Sequence, residues 1–370
     1  MTQVVTTAPV VALEAQKAAG SGLLRNTAIF ASVSFCAYLV SLAKTIMVTR
    51  YFGTSPEMDA FTVSVLVPNL LGALVMGSAS AGLVPSLGRA EQSGARSTVY
   101  RSALAIFVVL SLVASLLLAL FAGPIIRVIA PAFDPYLTKL ATELAHWSSL
   151  LVLVNTVTGF ASAELLSRRK YGWVAAAPAA ATSISLGCIV AYHRMGVSIL
   201  LSSLLVGLLA QMLIVLIPSW RATRGGLSKQ WRNPDVAHVI RGQVQLFAVG
   251  TIGITNVFVD QVISALLPTG TVSALSYASN LNMVVVQIVV MAMSAVVLTD
   301  LSAIAGSRDW IGLKHRVKVC AITSLMLAAP VCLMIIGVGH PAIQLLFQHG
   351  VFRADSADSV YIAWSGYSLG

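Results

Sequence analysis

The sequence predicts an all-α, polytopic membrane protein with two pseudo-symmetric helix bundles around a central cavity. Three observations carry the membrane class, and an internal repeat between the halves carries the two bundles. Hydrophobic residues make up 57% of the chain and charged residues 10%, against about 25% charged in a soluble domain, so water is not its main solvent. Apolar runs of roughly the 20 residues that cross a bilayer follow one another with short polar breaks. The Lys and Arg residues behind the net charge of +10 cluster in those breaks, which fits positive-inside topology and no nucleic-acid partner.

Element by element, residues 1–25 read as a cytoplasmic tail, because only Glu14 and Lys17 interrupt a stretch rich in Ala, Thr and Val and no clear cleavage site follows. Apolar segments are expected at 27–52, 60–88, 101–122, 144–166, 172–192, 197–218, 243–267, 273–299 and 319–339. A tenth begins near Val360, and Gly370 comes too soon after it to cross a bilayer about 30 Å thick. The chain is therefore expected to be truncated in about the tenth helix.

Lys17 with Arg25, Arg89 to Arg101, Arg168 to Lys170, Arg221 to Arg241 and Arg308 to Lys318 occupy alternate connections. This assigns them, and the N-terminus, to the cytoplasmic side. Arg127, Lys139, Arg194 and Arg353 are cations on the opposite side. Residues 221–241, with Lys229, Trp231, Arg232 and Pro234, are expected to lie along the cytoplasmic surface as a linker. They separate a first lobe, 26–220, from an incomplete second lobe, 242–370. Features recur across that divide: Pro68-Asn69-Leu70 resembles Ser279-Asn280-Leu281, and Gly123-Pro124 followed by Phe133 resembles Gly339-His340-Pro341 followed by Phe352. Repeated halves mark transporters.

Charges inside apolar runs cost several kcal/mol unless paired or hydrated, so they mark candidate sites. Lys44 lies about 25 Å along the first helix at 1.5 Å per residue, either snorkelling or salt-bridged, or facing a cavity. Asp59 opens the second helix as a cap, a functional acid, or both. Asp260 is set to pair with Lys44, bind a cation or exchange a proton, while Gln287 reads as an interhelical hydrogen-bonding residue. Glu164, Asp300 and Arg168-Arg169-Lys170 are expected in wet interfaces, the triplet serving topology and lipid contact. Gly77 to Gly82 and Ala175 to Ala181 are expected to let helices approach closely. Cys36, Cys188, Cys320 and Cys332 show no metal-ligand spacing and the six histidines no catalytic motif. No metal, cofactor or enzyme chemistry is expected.

Several motifs in order resemble the MurJ/MviN lipid flippase family of the multidrug/oligosaccharidyl-lipid/polysaccharide exporter superfamily. They are Arg50, Phe52-Gly53, Asp59-Ala60-Phe61 and Pro68-Asn69-Leu70-Leu71; Ala130 to Pro135; Ala177-Pro178; Gly270 to Leu281; and Leu345 to Phe352. The resemblance spans nearly the whole chain. It implies about fourteen helices in a full member, and movement of undecaprenyl-pyrophosphate-linked saccharides, above all lipid II, from inner to outer leaflet by alternating access. The setting would be the bacterial cytoplasmic membrane, with membrane lipids and possible glycan-synthesis enzymes as partners. Lys44 and Arg50 are then the candidate substrate-binding cations, and Asp59 and Asp260 the gating or ion-coupling acids. Lys44 stands where the family has an essential arginine. Gly72 and Ala73 replace its basic pair, and Ser279 and Asn280 its Asp-Arg pair. Two other readings stay open: a cation-coupled small-molecule exporter using Asp260, and a non-transporting scaffold for glycan synthesis.

Overall fold

The computed structural model of the chain describes residues 32–92, 95–223, 234–287 and 310–369. The tail, Asp300, Arg308 and residues 224–233 of the expected linker lie outside these residues. The described chain is helical, in the order α1 (Ser32–Phe52), α2 (Pro56–Gln92), α3 (Arg96–Leu120), α4 (Ala122–Ile129), α5 (Pro135–Ser148), α6 (Leu150–Ser167), α7 (Tyr171–Tyr192), α8 (Ser198–Thr223) and α9 (Pro234–Ser264). There follow α10 (271–287), α11 (Trp310–Phe347) and α12 (Ala354–Leu369). Seven helical stretches among them are long and apolar enough to cross a membrane, or eight if the two halves of α9, bent by 40°, count as one span.

The packing is that of a protein solvated by lipid. On α3, Val109, Leu110, Leu112, Val113, Leu116 and Leu117 are exposed while Ser102, Ser111 and Ser115 are buried. Two of these hydroxyls serve backbone acceptors: Ser111 donates to the Val108 carbonyl at 3.0 Å, and Ser115 to the Ser149 carbonyl at 2.8 Å, where α5 meets α6. Hydrocarbon offers no replacement partner for such groups. The same constraint explains Pro68 inside α2. A proline has no N–H for the carbonyl four residues earlier, and the Ser148 hydroxyl donates to that carbonyl, on Ser64, at 2.7 Å. The alanine run of α7 allows close approach as expected: a Cβ on Gly207 of α8 would stand 2.6 Å from the Ala181 carbonyl oxygen.

Two stretches depart from the expected segmentation. Residues 122–148, expected mainly as a connection, form α4 and α5. Eight residues are too few to register as an apolar run, yet α4 buries Ala122, Ile126 and Ile129. The Asp134 carboxylate caps α5 by accepting from Leu137 N at 2.7 Å, with Pro135 opening the helix. Residues 234–241, expected in the surface linker, are the first turns of α9. Val236 and Val239 are buried there in a cluster with Leu83, Leu87 and Tyr100 of α2 and α3.

The end of the bundle carrying Arg89, Arg96 and Arg168 is called here the basic end. Glu164, expected in a wet interface, is fully buried there. Its carboxylate meets Arg96 at 3.1 Å and Arg168 at 2.5 Å, and Arg96 also meets Glu91 at 2.7 Å. Ser167 accepts from Arg96 as well, so α2, α3 and α6 are tied by one ion-pair network. Removing the shared carboxylate strands two guanidinium groups, and breaking a buried pair typically costs about 3 kcal/mol or more. Glu164→Ala is therefore expected to lower the thermal unfolding midpoint of the detergent-purified protein much further than Arg168→Gln, since Arg168 is 39% exposed. Equal midpoints would show that the network does not hold the helices.

Candidate functional site

At the opposite end, here the far end, α1 turns into α2 and brings Lys44 to a cavity of about 240 Å³. Thr45 and Val48 on the same face of α1 line it, together with Met58, Phe61, Thr62 and Asn69 of α2, Leu200 and Leu204 of α8, and Ser276, Tyr277 and Asn280 of α10. Among the described residues Lys44 makes no ion pair, so the cavity-facing reading of this cation is the one the geometry carries. Asn69 and Asn280 occupy corresponding places in the two repeated motifs, and both are exposed to this one cavity. One ammonium, two amides and several hydroxyls therefore converge from both bundles on a volume walled by apolar side chains. The lysine and the amides are hydrogen-bond donors that match an anionic, oxygen-rich group.

The position of one missing cation has a packing reason. A Cβ on buried Gly72 would fall 2.6 Å from the Asn155 side-chain nitrogen of α6. No longer side chain fits there unless Asn155 moves.

A set of hydrogen bonds between the two bundles closes the far end. Asp59, 1% exposed in the first turn of α2, accepts through Oδ2 from Gly270 N at 2.5 Å and through Oδ1 from Ser273 N at 2.8 Å. It thus caps α10, a helix more than 200 residues away. Tyr277 donates to the Gly53 carbonyl at 2.7 Å, the Thr54 and Ser356 hydroxyls share a hydrogen bond at 2.6 Å, and Val351 N donates to the Arg50 carbonyl at 3.1 Å. Gly270 and Gly350 have φ of +95° and +73°, a region that L side chains rarely adopt. At each a Cβ would collide with backbone of the α1–α2 turn, at the Thr54 and Arg50 carbonyls respectively. Val48, Phe52, Ala274, Tyr277, Leu281, Phe347 and Phe352 pack an apolar cluster around these bonds.

The other two sequence candidates lie apart from the cavity. The Arg50 side chain is exposed at the far end, and its backbone is what the seal engages. Asp260 of α9 accepts from the Tyr367 hydroxyl of α12 at 3.3 Å. Pairing of Asp260 with Lys44 is therefore not what the structure shows: α9 turns the carboxylate toward α12. Sequence reasoning gave no role to Asn69, Ser276 or Asn280 in the cavity, or to Gly270 and Gly350 in the seal. The internal repeat was the signal that pointed at the asparagines.

Comparisons with known proteins identify the family and the fold. The family model described as "Lipid II flippase MurJ" matches residues 48–370. A probable lipid II flippase MurJ of Rickettsia prowazekii is 21% identical over 360 residues, covering 94% of this chain and 70% of the relative. One from Synechocystis is 23% identical over 369 residues, covering 94% and 69%. Among solved structures, a lipid II flippase MurJ in an inward closed conformation superposes with a TM-score of 0.78 at 19% identity, covering 92% of this chain and 72% of that one. An inward-facing multidrug resistance transporter of the MATE family gives 0.69 at 15% identity, covering 93% and 81%. The match to the family model over most of its length makes this chain a member of the MurJ lipid II flippase family.

Proposed function

We propose that the protein carries an undecaprenyl-pyrophosphate-linked saccharide, lipid II or a close relative, from the inner to the outer leaflet of a bacterial cytoplasmic membrane by alternating access. The N-terminus and the basic end face the cytoplasm, and residues 26–220 and 242–370 act as two lobes. The observation that supports this best is Lys44, without an ion pair among the described residues, in a cavity lined from both bundles and sealed at one end by bonds between them.

A pyrophosphate cannot shed its water into hydrocarbon without replacement partners. Lys44 offers a cation with three donors, and Asn69 and Asn280 offer amide donors from opposite sides. Arg50, exposed beyond the seal, is placed to meet the headgroup as it leaves. Asp59 is the principal gating residue in this reading, because releasing α10 opens the far end. Asp260 is a second gating group, on the half of α9 beyond its bend and held to α12 by Tyr367.

Magnitudes fit such a cycle. The seal has five polar contacts at roughly 1 kcal/mol net each, about the 5.5 kcal/mol that separates a 1:99 from a 99:1 population. Binding in the cavity and the membrane potential have to supply that difference. The potential contributes about 2.3 kcal/mol per charge per 100 mV, and an inside-negative membrane drives an anion outward.

Two outcomes test this. In cells depleted of the full-length protein, leaflet-specific labelling should show the lipid-linked precursor held inside. Wild type and Lys44→Arg are expected to restore its outward appearance, and Lys44→Ala to lose most of it; full rescue by Lys44→Ala would remove Lys44 from the binding site. For the gate, Asp59→Ala strands two N–H groups at a cost of about 1–2 kcal/mol. In a background with its four cysteines replaced by alanine, Asn280→Cys is expected to react about tenfold faster with an impermeant thiol reagent from outside when Asp59→Ala is added. An unchanged rate would mean that Asp59 does not hold the gate.

A further inference from the structure

We infer that the cleft between α4 and α5 binds the phosphoethanolamine headgroup of an outer-leaflet phospholipid. The cleft holds about 720 Å³, and Arg127, Phe133, Thr138, Lys139, Thr142 and Glu143 are among its lining residues. Its leaflet rests on the orientation proposed above; its chemistry does not.

Arg127 and Lys139 are both exposed, and among the described residues neither makes an ion pair. They stand on the side opposite the basic connections, where cations are scarce in membrane proteins of this topology. Arg127 lies in the last turn of α4, where the helix dipole favours a cation. Lys139 gains nothing of that kind, because it is the fifth residue of α5 and sits toward the positive end. A second cation turned into the same cleft calls for an anion.

The surroundings set the depth. Phe121 is 54% exposed and Tyr136 63%, flanking the short helix that carries Val128 at 77%. Exposed aromatic side chains of this kind collect at the level of lipid headgroups, and a short helix with one apolar face lies in the interface plane. The cleft therefore opens where phospholipid phosphates reside.

The charge order selects the headgroup. A guanidinium fork and an ammonium suit a phosphate diester. The threonine hydroxyls are already donating, Thr138 to the Phe133 carbonyl at 3.5 Å and Thr142 to the Thr138 carbonyl at 2.7 Å, so the two cations carry the phosphate. Glu143, one turn after Lys139, repels an anion but attracts an ammonium. A headgroup whose phosphate is followed by an ammonium satisfies all three charges. Phosphatidylglycerol satisfies only two, and a polyprenyl diphosphate adds negative charge facing Glu143.

Native mass spectrometry of the full chain purified in detergent tests this with dioleoyl phosphatidylethanolamine, dioleoyl phosphatidylglycerol and undecaprenyl diphosphate added in competition. Phosphatidylethanolamine is expected to be retained about tenfold more tightly than phosphatidylglycerol. The double change Arg127→Gln with Lys139→Gln should weaken it about tenfold, with Arg194→Gln, an exposed cation elsewhere on the same side, leaving it unchanged. Glu143→Gln should abolish the preference while both phospholipids still bind. Equal or better binding of phosphatidylglycerol or of the diphosphate to wild type overturns the assignment, as does an unweakened double variant. Labelling of Lys139→Cys in intact cells by an impermeant maleimide, in the cysteine-free background, reads the leaflet separately. Absence of labelling would overturn the outer-leaflet placement and the orientation together, whatever the lipid result.

Discussion

The Asp59 carboxylate is the group on which the far end of the molecule depends. A helix that begins inside a membrane protein leaves its first N–H groups without partners, and hydrocarbon cannot satisfy them. Here α10 begins without a cap of its own, and Asp59 of α2 supplies both missing acceptors, at Gly270 and Ser273. That single contact fixes the start of α10 against the start of α2. The α1–α2 turn is then trapped beneath Tyr277, Gly270 and Gly350, each of which meets its backbone. The cavity and its seal consequently share one helix. Tyr277 both binds Gly53 and lines the cavity, with Ser276 beside it and Asn280 one turn further along. Asn280 and the N–H groups bonded by Asp59 thus belong to one helix and its start.

The two ends of the molecule are joined by different kinds of contact. At the far end α2 and α10 meet through short, directional hydrogen bonds to backbone, with an apolar cluster around them. Toward the basic end α9 meets α2 and α3 through apolar side chains, Val236 and Val239 against Leu83, Leu87 and Tyr100. The charged network there, centred on Glu164, ties α2, α3 and α6 of one bundle to one another, and among the described residues its ion pairs include none to α9. Directional bonds lose their energy over a small displacement, whereas apolar faces slide at little cost while they stay in contact. In the proposed cycle the contrast, together with the bend in α9, would make the far end the more switch-like closure and the first bundle the more rigid body.

What the sequence made legible was set by the cost of charge in lipid. Composition and run length gave the membrane class and most spans, and Lys44 and Asp59 stood out because apolar runs exclude charge. The place of Asp59 at a helix start was readable too. Its target was not, since the sequence offered its own helix α2 as the thing to cap, and only folding brings Gly270 and Ser273 to it. Asp260 shows the same limit from the other side. A charge in a run is visible, but the direction it faces depends on a bend at 253–254 that the apolar pattern does not encode. Glu164 was misplaced because nearness to a span's end was taken for exposure, and only the packing of α3 on α6 shows that Arg96 and Arg168 cover it. The helices α4 and α5 escaped because neither is long enough to read as a span.

The sparse charge of the cavity has its own physical logic. Two cations 4 Å apart repel by about 4 kcal/mol at an effective dielectric constant of 20, and burying either costs several kcal/mol more when no anion is present. In the proposed cycle, a carrier that returns empty would face that cost each time. Lys44 with Asn69 and Asn280 lowers it, because amides donate hydrogen bonds without charge and satisfy one another or water when the cavity is vacant. A lysine is also a compact charge on a flexible stem, able to follow a moving phosphate, where an arginine fork fixes one geometry. Gly72 packs on Asn155 of α6, where no longer side chain fits unless Asn155 moves. In the proposed cycle, weaker headgroup binding is thus matched by an easier return, and the alternation between the two would depend on the seal at Asp59.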